Sequence, residues 1–274
     1  ARYNGIKGII NEWDVINETG ICHDLINALN SDAIYADVLK WTAQSDANAK
    51  LFLNENNIIS NGGLKKISRE QYKALIEKLA FSNTPLHGIG IQGHMSTSLT
   101  APETILKILD EFKSYDLEIS ITEYDAVGVN EELAADYMRD ILIAAFSHES
   151  VNSFIMWGFW DGAHWKGDSP IFRRDWSVKP SGEAFINWVF RNWWTNVDGK
   201  SSENGNYSTR AFYGDYAIVV DFDGQKTEAL VDFSKQSKEI ILHIDTEFTS
   251  AQLPTFYRLE QNYPNPFNGT TTIQ

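Results

Sequence analysis

Cysteine is almost missing from this chain. Cys22 stands alone in 274 residues, which excludes an intrachain disulfide and any cysteine-rich metal site. It leaves secretion open, because many secreted proteins outside the disulfide-rich class have no bridges. No apolar run approaches the ~18–20 residues of a membrane span, so membrane insertion is not expected. Cations are scarce: 23 Lys and Arg face 37 Asp and Glu, and the formal charge of −14 disfavours nucleic acid or an anionic membrane as a partner. A neutral substrate meets no such penalty. There is no phosphate-cradling glycine motif and no metal triad, so neither a metal nor a cofactor is expected. The first residues lack the basic and then apolar pattern of a signal peptide, and Gly8 leads almost at once into a strand-like run. We expect Ala1 to lie inside a longer natural sequence.

Apolar and aromatic residues, by contrast, are plentiful. At 43% hydrophobic content the chain can bury one large core and a small appended domain. Nine tryptophans and eleven tyrosines exceed what that core needs, and several gather in polar surroundings near His164 and Trp165. Flat aromatic rings in such places suit stacking on sugar faces, although a core role is the common reading for any single one.

Short apolar or β-branched runs recur at residues 9–16, 51–53, 86–91, 117–121 and 151–159. Their spacing of roughly 30–40 residues is that of a βα unit. Between them lie helical patterns. Ser68 with Gln71, and Thr100 with Glu103, have the spacing of capping boxes before apolar stripes. Further helices are predicted through Leu133, Tyr137, Ile141 and Ala144, and through Phe185, Val189 and Phe190.

Each run hands over to polar residues: Asn17 and Glu18, Asn54 and Glu55, Gln92 and His94, Glu123 and Asp125, Asp161 and His164. A common face collecting side chains from successive strand ends predicts an α/β fold of the (β/α)8 TIM barrel type, with an open doubly wound sheet as the rival. Five strands cannot close such a barrel, so strands four to eight are expected here, with three βα units lying upstream. After residue 195 the rhythm changes. Residues 196–208 are polar, and residues 210–220, 226–233 and 239–244 read as strands without intervening helices, a small β-rich extension over 196–250. Residues 251–274 contain the turn-rich Tyr263-Pro264-Asn265-Pro266-Phe267-Asn268-Gly269 and read as a linker and the start of another domain.

Glu18 and Glu123, each at a strand end, suggest paired carboxylates facing one cavity, the equipment for general acid/base and nucleophilic work on a glycosidic bond. A lone histidine at a strand end is more often structural. His94 differs, because Asp125 follows Glu123 by two residues and a histidine bonded to Asp125 could hold Glu123 in one rotamer. Glu12, Glu55 and Asp161 read as solvated rim or helix-start residues.

WDVINE at 13–18, KLFLNENNI at 50–58, GIGIQGH at 88–94, ITEYD at 121–125, WGFWDGAHW at 157–165 and PIFRRDWSVKPSGEAF at 170–185 together resemble glycoside hydrolase family 10, the retaining endo-β-1,4-xylanases. The resemblance covers about residues 1–194. It implies a (β/α)8 barrel acting on xylan or xylo-oligosaccharides, with Glu18 as acid/base and Glu123 as nucleophile. It further implies that His94 and Asp125 orient the nucleophile, that Asn17 contacts the sugar 2-hydroxyl, and that Gln92, Trp157 and Trp165 complete the cleft. A full-length monomer is expected. The lysine, histidine and tryptophan with which the family's first three strands grip the sugar have no match, and the loop 19–31 is shorter than the family's. A β-1,4-glucanase, or a carbohydrate-binding fragment without turnover, therefore stays open. TRAFYGDYAIVV at 209–220 resembles tails of such enzymes from Bacteroidetes, and NYPNPFNGTTTI at 262–273 looks like the start of a secretion-sorting module. A secreted or cell-surface protein is expected, since a polymeric substrate cannot enter a cell intact.

Overall fold

The computed structural model describes residues 8–233 and 239–243. Two compact units divide the chain, Ala1–Ile186 and Asn187–Gln274.

In the first unit, strands β1 (Glu12–Asn17), β2 (Lys50–Glu55), β3 (Gly88–Ile91), β4 (His94–Met95), β5 (Glu118–Ala126) and β6 (Val151–Met156) form one parallel sheet. Its order is β1-β2-β3-β5-β4, and β6 pairs with β5. Helices α1 (Asp24–Leu29), α2 (Ile34–Ser45), α3 (Lys66–Phe81), α4 (Pro102–Lys113) and α5 (Glu131–Ser147) fill the crossovers, and α6 (Pro180–Asn187) follows β6. Strand, helix and parallel strand in repetition is the construction of a (β/α)8-like barrel. The helices are held by apolar stripes at helical spacing. On α4, Ile105, Ile108, Leu109 and Phe112 are all buried, each contributing about 1.5–3 kcal/mol by leaving water.

The predicted runs are all strands, with shifted ends. β1 starts at Glu12, leaving Ile9 71% exposed. The run 117–121 extends to Ala126, which brings Glu123 and Asp125 into the strand itself. β4 is a short continuation after Gly93, whose φ of +80° turns the chain out of the line of β3.

Two expectations about helix starts need correction. α3 begins at Lys66, so Ser68 lies in its first turn and no side chain caps it. α4 begins at Pro102, and proline supplies the start because its missing N–H would be unpaired there anyway. Thr100 is instead buried, donating its hydroxyl to Ile59 O at 2.5 Å while its carbonyl accepts from Tyr137 at 2.9 Å. Tertiary hydrogen bonds claim this threonine. α5 does carry a side-chain cap, Asn130 Oδ1 accepting from Leu133 N at 2.9 Å. The loop 19–31 contains helix α1, which periodicity over so few residues could not reveal.

Glycines shape the inner layer of the sheet. A Cβ on Gly88 would lie 2.2 Å from the Phe52 ring, and one on Gly90 would lie 2.4 Å from Asn54 Oδ1. Both β2 side chains therefore lie flat across β3, in space that any other residue would fill.

In the second unit, a π-helical turn at Trp188–Asn192 precedes an irregular stretch and the antiparallel hairpin of β7 (Gly214–Phe222) and β8 (Gln225–Phe233). Asp223 and Gly224, with φ of +50° and +82°, make the tight connection that such a twist favours. Tyr213 and Tyr216 pack on Phe233 with ring centroids 5.2 and 6.4 Å apart. Residues 239–243 are not a strand, contrary to expectation, and Ile244 and residues 251–274 lie outside the described residues.

Candidate active site

Parallel strands put their C-terminal ends on one face, and the proposed site residues sit there. Glu18 follows β1 directly, its N–H donating to Asn54 O at 2.9 Å as the pairing with β2 continues. Its φ is +57°, a left-handed conformation that costs a non-glycine residue about 1–3 kcal/mol and persists only where neighbours enforce it. The carbonyl of Glu18 accepts from Ile21 N and Cys22 N at 3.1 and 2.7 Å, so the chain turns sharply behind it.

Glu123 owes its aim to an irregularity in β5. Ile121 pairs with Phe154 and Tyr124 with Met156, so Thr122 and Glu123 together oppose Ile155 alone. In a regular strand consecutive side chains point to opposite faces. This bulge cancels the alternation, and both side chains reach Asn54: Thr122 Oγ1 donates to Asn54 Oδ1 at 2.7 Å, and Asn54 Nδ2 donates to Glu123 Oε1 at 2.8 Å. The carboxylate fixes the amide's orientation: it only accepts and so takes the amide nitrogen, and the threonine hydroxyl, which can donate or accept, donates to the oxygen.

The other oxygen, Glu123 Oε2, lies 3.3 Å from His94 Nε2, and His94 Nδ1 lies 3.0 Å from Asp125 Oδ1. Burial pulls the imidazole pKa down. The hydrogen bonds and charges of Asp125 and Glu123 outweigh that and hold it at about 9. Both ring nitrogens face carboxylates, and only the imidazolium can donate to both. Asp125 also accepts from Trp165 Nε1 at 2.8 Å, with His164 Nε2 3.5 Å from the same oxygen. Trp165 thereby packs beside His94, ring centroids 5.4 Å apart, and the half-exposed Trp157 meets it edge-on at 6.3 Å.

Gln92 ties the two carboxylates into one site. Its Nε2 lies 3.1 Å from both Glu18 Oε1 and Asn17 Oδ1, and its carbonyl accepts from Glu123 N at 2.9 Å. All eight residues singled out from the sequence thus belong to one constellation. Asn54 was missed as a member. An asparagine at a strand end, followed by a carboxylate and closing the apolar run Leu51–Leu53, was its signal.

Glu55 and Asp161 are not solvated rim residues. Glu55 is 3% exposed because β2 is covered on both faces, and Asp161 accepts from the buried Lys179 at 2.7 Å. Lys179 also donates to Asp168 O at 2.9 Å, pinning the loop that presents Trp157 and Trp165. A cavity of about 570 Å³ opens beside this pair, lined by Glu131, Asp161, Arg173 and Lys179 among others. It contains none of the constellation, and its Arg173 and Lys179 already have carboxylate partners. Among the described residues, no His, Cys, Asp and Glu group could hold a metal ion, and no helix is long and apolar enough to cross a membrane.

The model of glycosyl hydrolase family 10 matches residues 1–188. The chain belongs to that family. Endo-1,4-beta-xylanase 2 of Arabidopsis thaliana is 31% identical over 89% of this chain and 22% of its own length. The anti-sigma-I factor RsgI6 of Acetivibrio thermocellus is 34% identical over 80% of this chain and 28% of its own. This chain spans about a quarter of the length of these curated relatives. Among solved structures, xylanase 10B of Thermotoga petrophila, in complex with xylobiose, aligns with a TM-score of 0.62 at 21% identity, over 70% of this chain and 63% of that one. That likeness concerns the fold. Since the relatives carry both names, the function rests on the side chains present.

Proposed function

We propose that this protein is an endo-1,4-β-xylanase that cleaves internal β-1,4-xylosidic bonds of xylan with retention of configuration. The observation that carries the reading is the fixing of Glu123 by Asn54 on one oxygen and His94 on the other, on the same face as Glu18. A carboxylate gripped on both oxygens is preorganised as a nucleophile.

In this reading Glu123 attacks the anomeric carbon as the bond to the leaving oxygen breaks, and Glu18 gives its proton to that oxygen. Water then attacks the same carbon. Glu18 takes the water's proton, and the ester bond to Glu123 breaks. Asn17, held by Gln92, bonds the sugar 2-hydroxyl, a contact that tightens as positive charge develops on the ring. Trp157 and Trp165 offer aromatic faces to neighbouring sugars.

We further assign β1, β2, β3, β5 and β6 to strands four to eight of the barrel, within a catalytic region reaching residue 195. This assignment is supported by the chain's partial span of its relatives. A xylan polymer is too large to enter a cell intact, which supports a secreted or cell-surface protein, and with it we read residues 262–273 as a sorting segment and 196–250 as a Bacteroidetes-type extension.

Glu123→Ala in the complete protein is expected to abolish hydrolysis of beechwood xylan, and unchanged turnover would overturn the assignment. Rates on xylan against carboxymethyl-cellulose separate xylanase from glucanase. Xylohexaose titrated into the same sample, with no hydrolysis by wild type, would instead identify a binding protein.

A further inference from the structure

Glu55 is a buried carboxylate to which the chemistry above gives no task. It is the last residue of β2 and is 3% exposed. Among the described residues no lysine, arginine or histidine makes an ion pair with it. Its partners are instead donors from two short segments. Oε2 accepts from Thr19 Oγ1 at 2.8 Å and from Gly20 N at 2.9 Å, and Oε1 accepts from Asn56 N at 3.0 Å. Thr19 and Gly20 are the two residues after Glu18.

Glu18 needs such a hold. Its left-handed φ of +57° is unfavourable, and such a conformation persists only where surroundings over-determine it. From the N-terminal side, Glu18 N is bonded to Asn54 O, the residue before Glu55. From the C-terminal side, the Glu55 carboxylate holds Thr19 and Gly20. Residues 54 and 55 therefore clamp Glu18 from both directions.

We propose that Glu55 is a positioning residue for the acid/base, holding Glu18 where its carboxyl meets the leaving oxygen and the incoming water. The proposal rests on Glu18 having that role. It predicts a loss confined to steps that need proton transfer, because Glu55 touches neither Glu123 nor its partners Asn54 Nδ2 and His94.

The test uses the complete protein and a series of aryl β-xylobiosides, in which kcat/KM reports the glycosylation step. Dinitrophenolate leaves without a proton, whereas phenolate needs one. Glu55→Gln is expected to leave kcat/KM for the dinitrophenyl substrate within about threefold of wild type. For the phenyl substrate it should fall roughly tenfold or more, a share of the 10²–10⁴ that general acid catalysis supplies. Azide should then accelerate turnover of the dinitrophenyl substrate, since Glu18 is displaced from its place as base in the second step, and Glu55→Asp should recover part of the phenyl activity. An equal loss across the series would mean general damage and would overturn the proposal, as would no loss. Glu18→Ala is run in parallel. If it shows no leaving-group dependence, the acid/base reading itself fails; if it does and Glu55→Gln does not, only the positioning role fails. Should Glu55→Gln not fold, Thr19→Val removes one of the donors and must show the same dependence in weaker form, a flat profile again overturning the idea.

Discussion

Asn54 Nδ2 donates to Glu123 Oε1 across 2.8 Å in a buried setting, and the same amide's oxygen is occupied by Thr122. The ionised carboxylate only accepts, so the amide presents its nitrogen to the nucleophile and its oxygen to the hydroxyl. Replacing Asn54 by Leu would leave a buried carboxylate oxygen and a hydroxyl without their partner, at about 1–3 kcal/mol for each such group. We expect Asn54→Leu to slow covalent labelling of Glu123 by a 2-fluoro xylobioside inactivator by roughly tenfold or more, measured by intact mass against time. Labelling at the wild-type rate would show that the contact does not align the attack.

Gly90→Ala tests the same point from the backbone side. The added Cβ would fall 2.4 Å from Asn54 Oδ1 and 3.0 Å from Thr122 Cγ2, both in a packed layer. Overpacking of this kind costs about 1–3 kcal/mol. A midpoint shift in urea unfolding, together with reduced labelling of Glu123, is the expected pair of outcomes.

The His94 imidazole, held at about 9 against an ordinary 6.5, gives the pH dependence. Because the folded value is raised, its contribution is complete below about pH 6.5 and is lost as pH rises through about 9. The shift corresponds to about 3 kcal/mol at most. Unfolding free energy should fall over this window in wild type, and Asp125→Asn should flatten the decline. A ¹⁵N-detected titration of His94 should show its pKa dropping in that variant; an unchanged value would remove Asp125 as a cause.

Trp165→Phe keeps a ring beside His94 but removes the N–H that donates to Asp125 at 2.8 Å. A buried hydrogen bond to a charged group is worth about 1.5–3 kcal/mol. We expect kcat on xylan to fall more than KM changes, because Asp125 aligns His94 and so acts on chemistry. A change in KM alone would make Trp165 a purely sugar-stacking residue.

Much of this was legible before any coordinates, for a reason visible in particular residues. Glu18, Gln92, His94, Glu123 and Asp125 end contiguous apolar runs, and parallel strands bring such ends together however far apart they lie in sequence. Asn54 and Glu55 end a run in the same way, yet their meaning depends on partners that spacing does not reveal: Glu123 for one, Thr19 and Gly20 for the other. A polar strand end looks the same whether it is solvated or buried. The capping boxes failed for the complementary reason. Ser68 and Thr100 have the right local spacing, but helix α3 starts earlier and the Thr100 hydroxyl is taken by Ile59 O. The β5 bulge was hidden because two adjacent polar residues, Thr122 and Glu123, read equally well as one inward and one outward position.

That bulge makes the strand's length, and not only its composition, a carrier of chemistry. Loss of Thr122 would remove the extra β5 residue between Ile121 and Tyr124, and with it the irregularity that brings Glu123 to Asn54. β5 cannot gain or lose a residue here without changing how Glu123 is aimed. Sequence change through this stretch should therefore proceed by substitution alone, and a single-codon deletion there would be as damaging as replacing Glu123 itself.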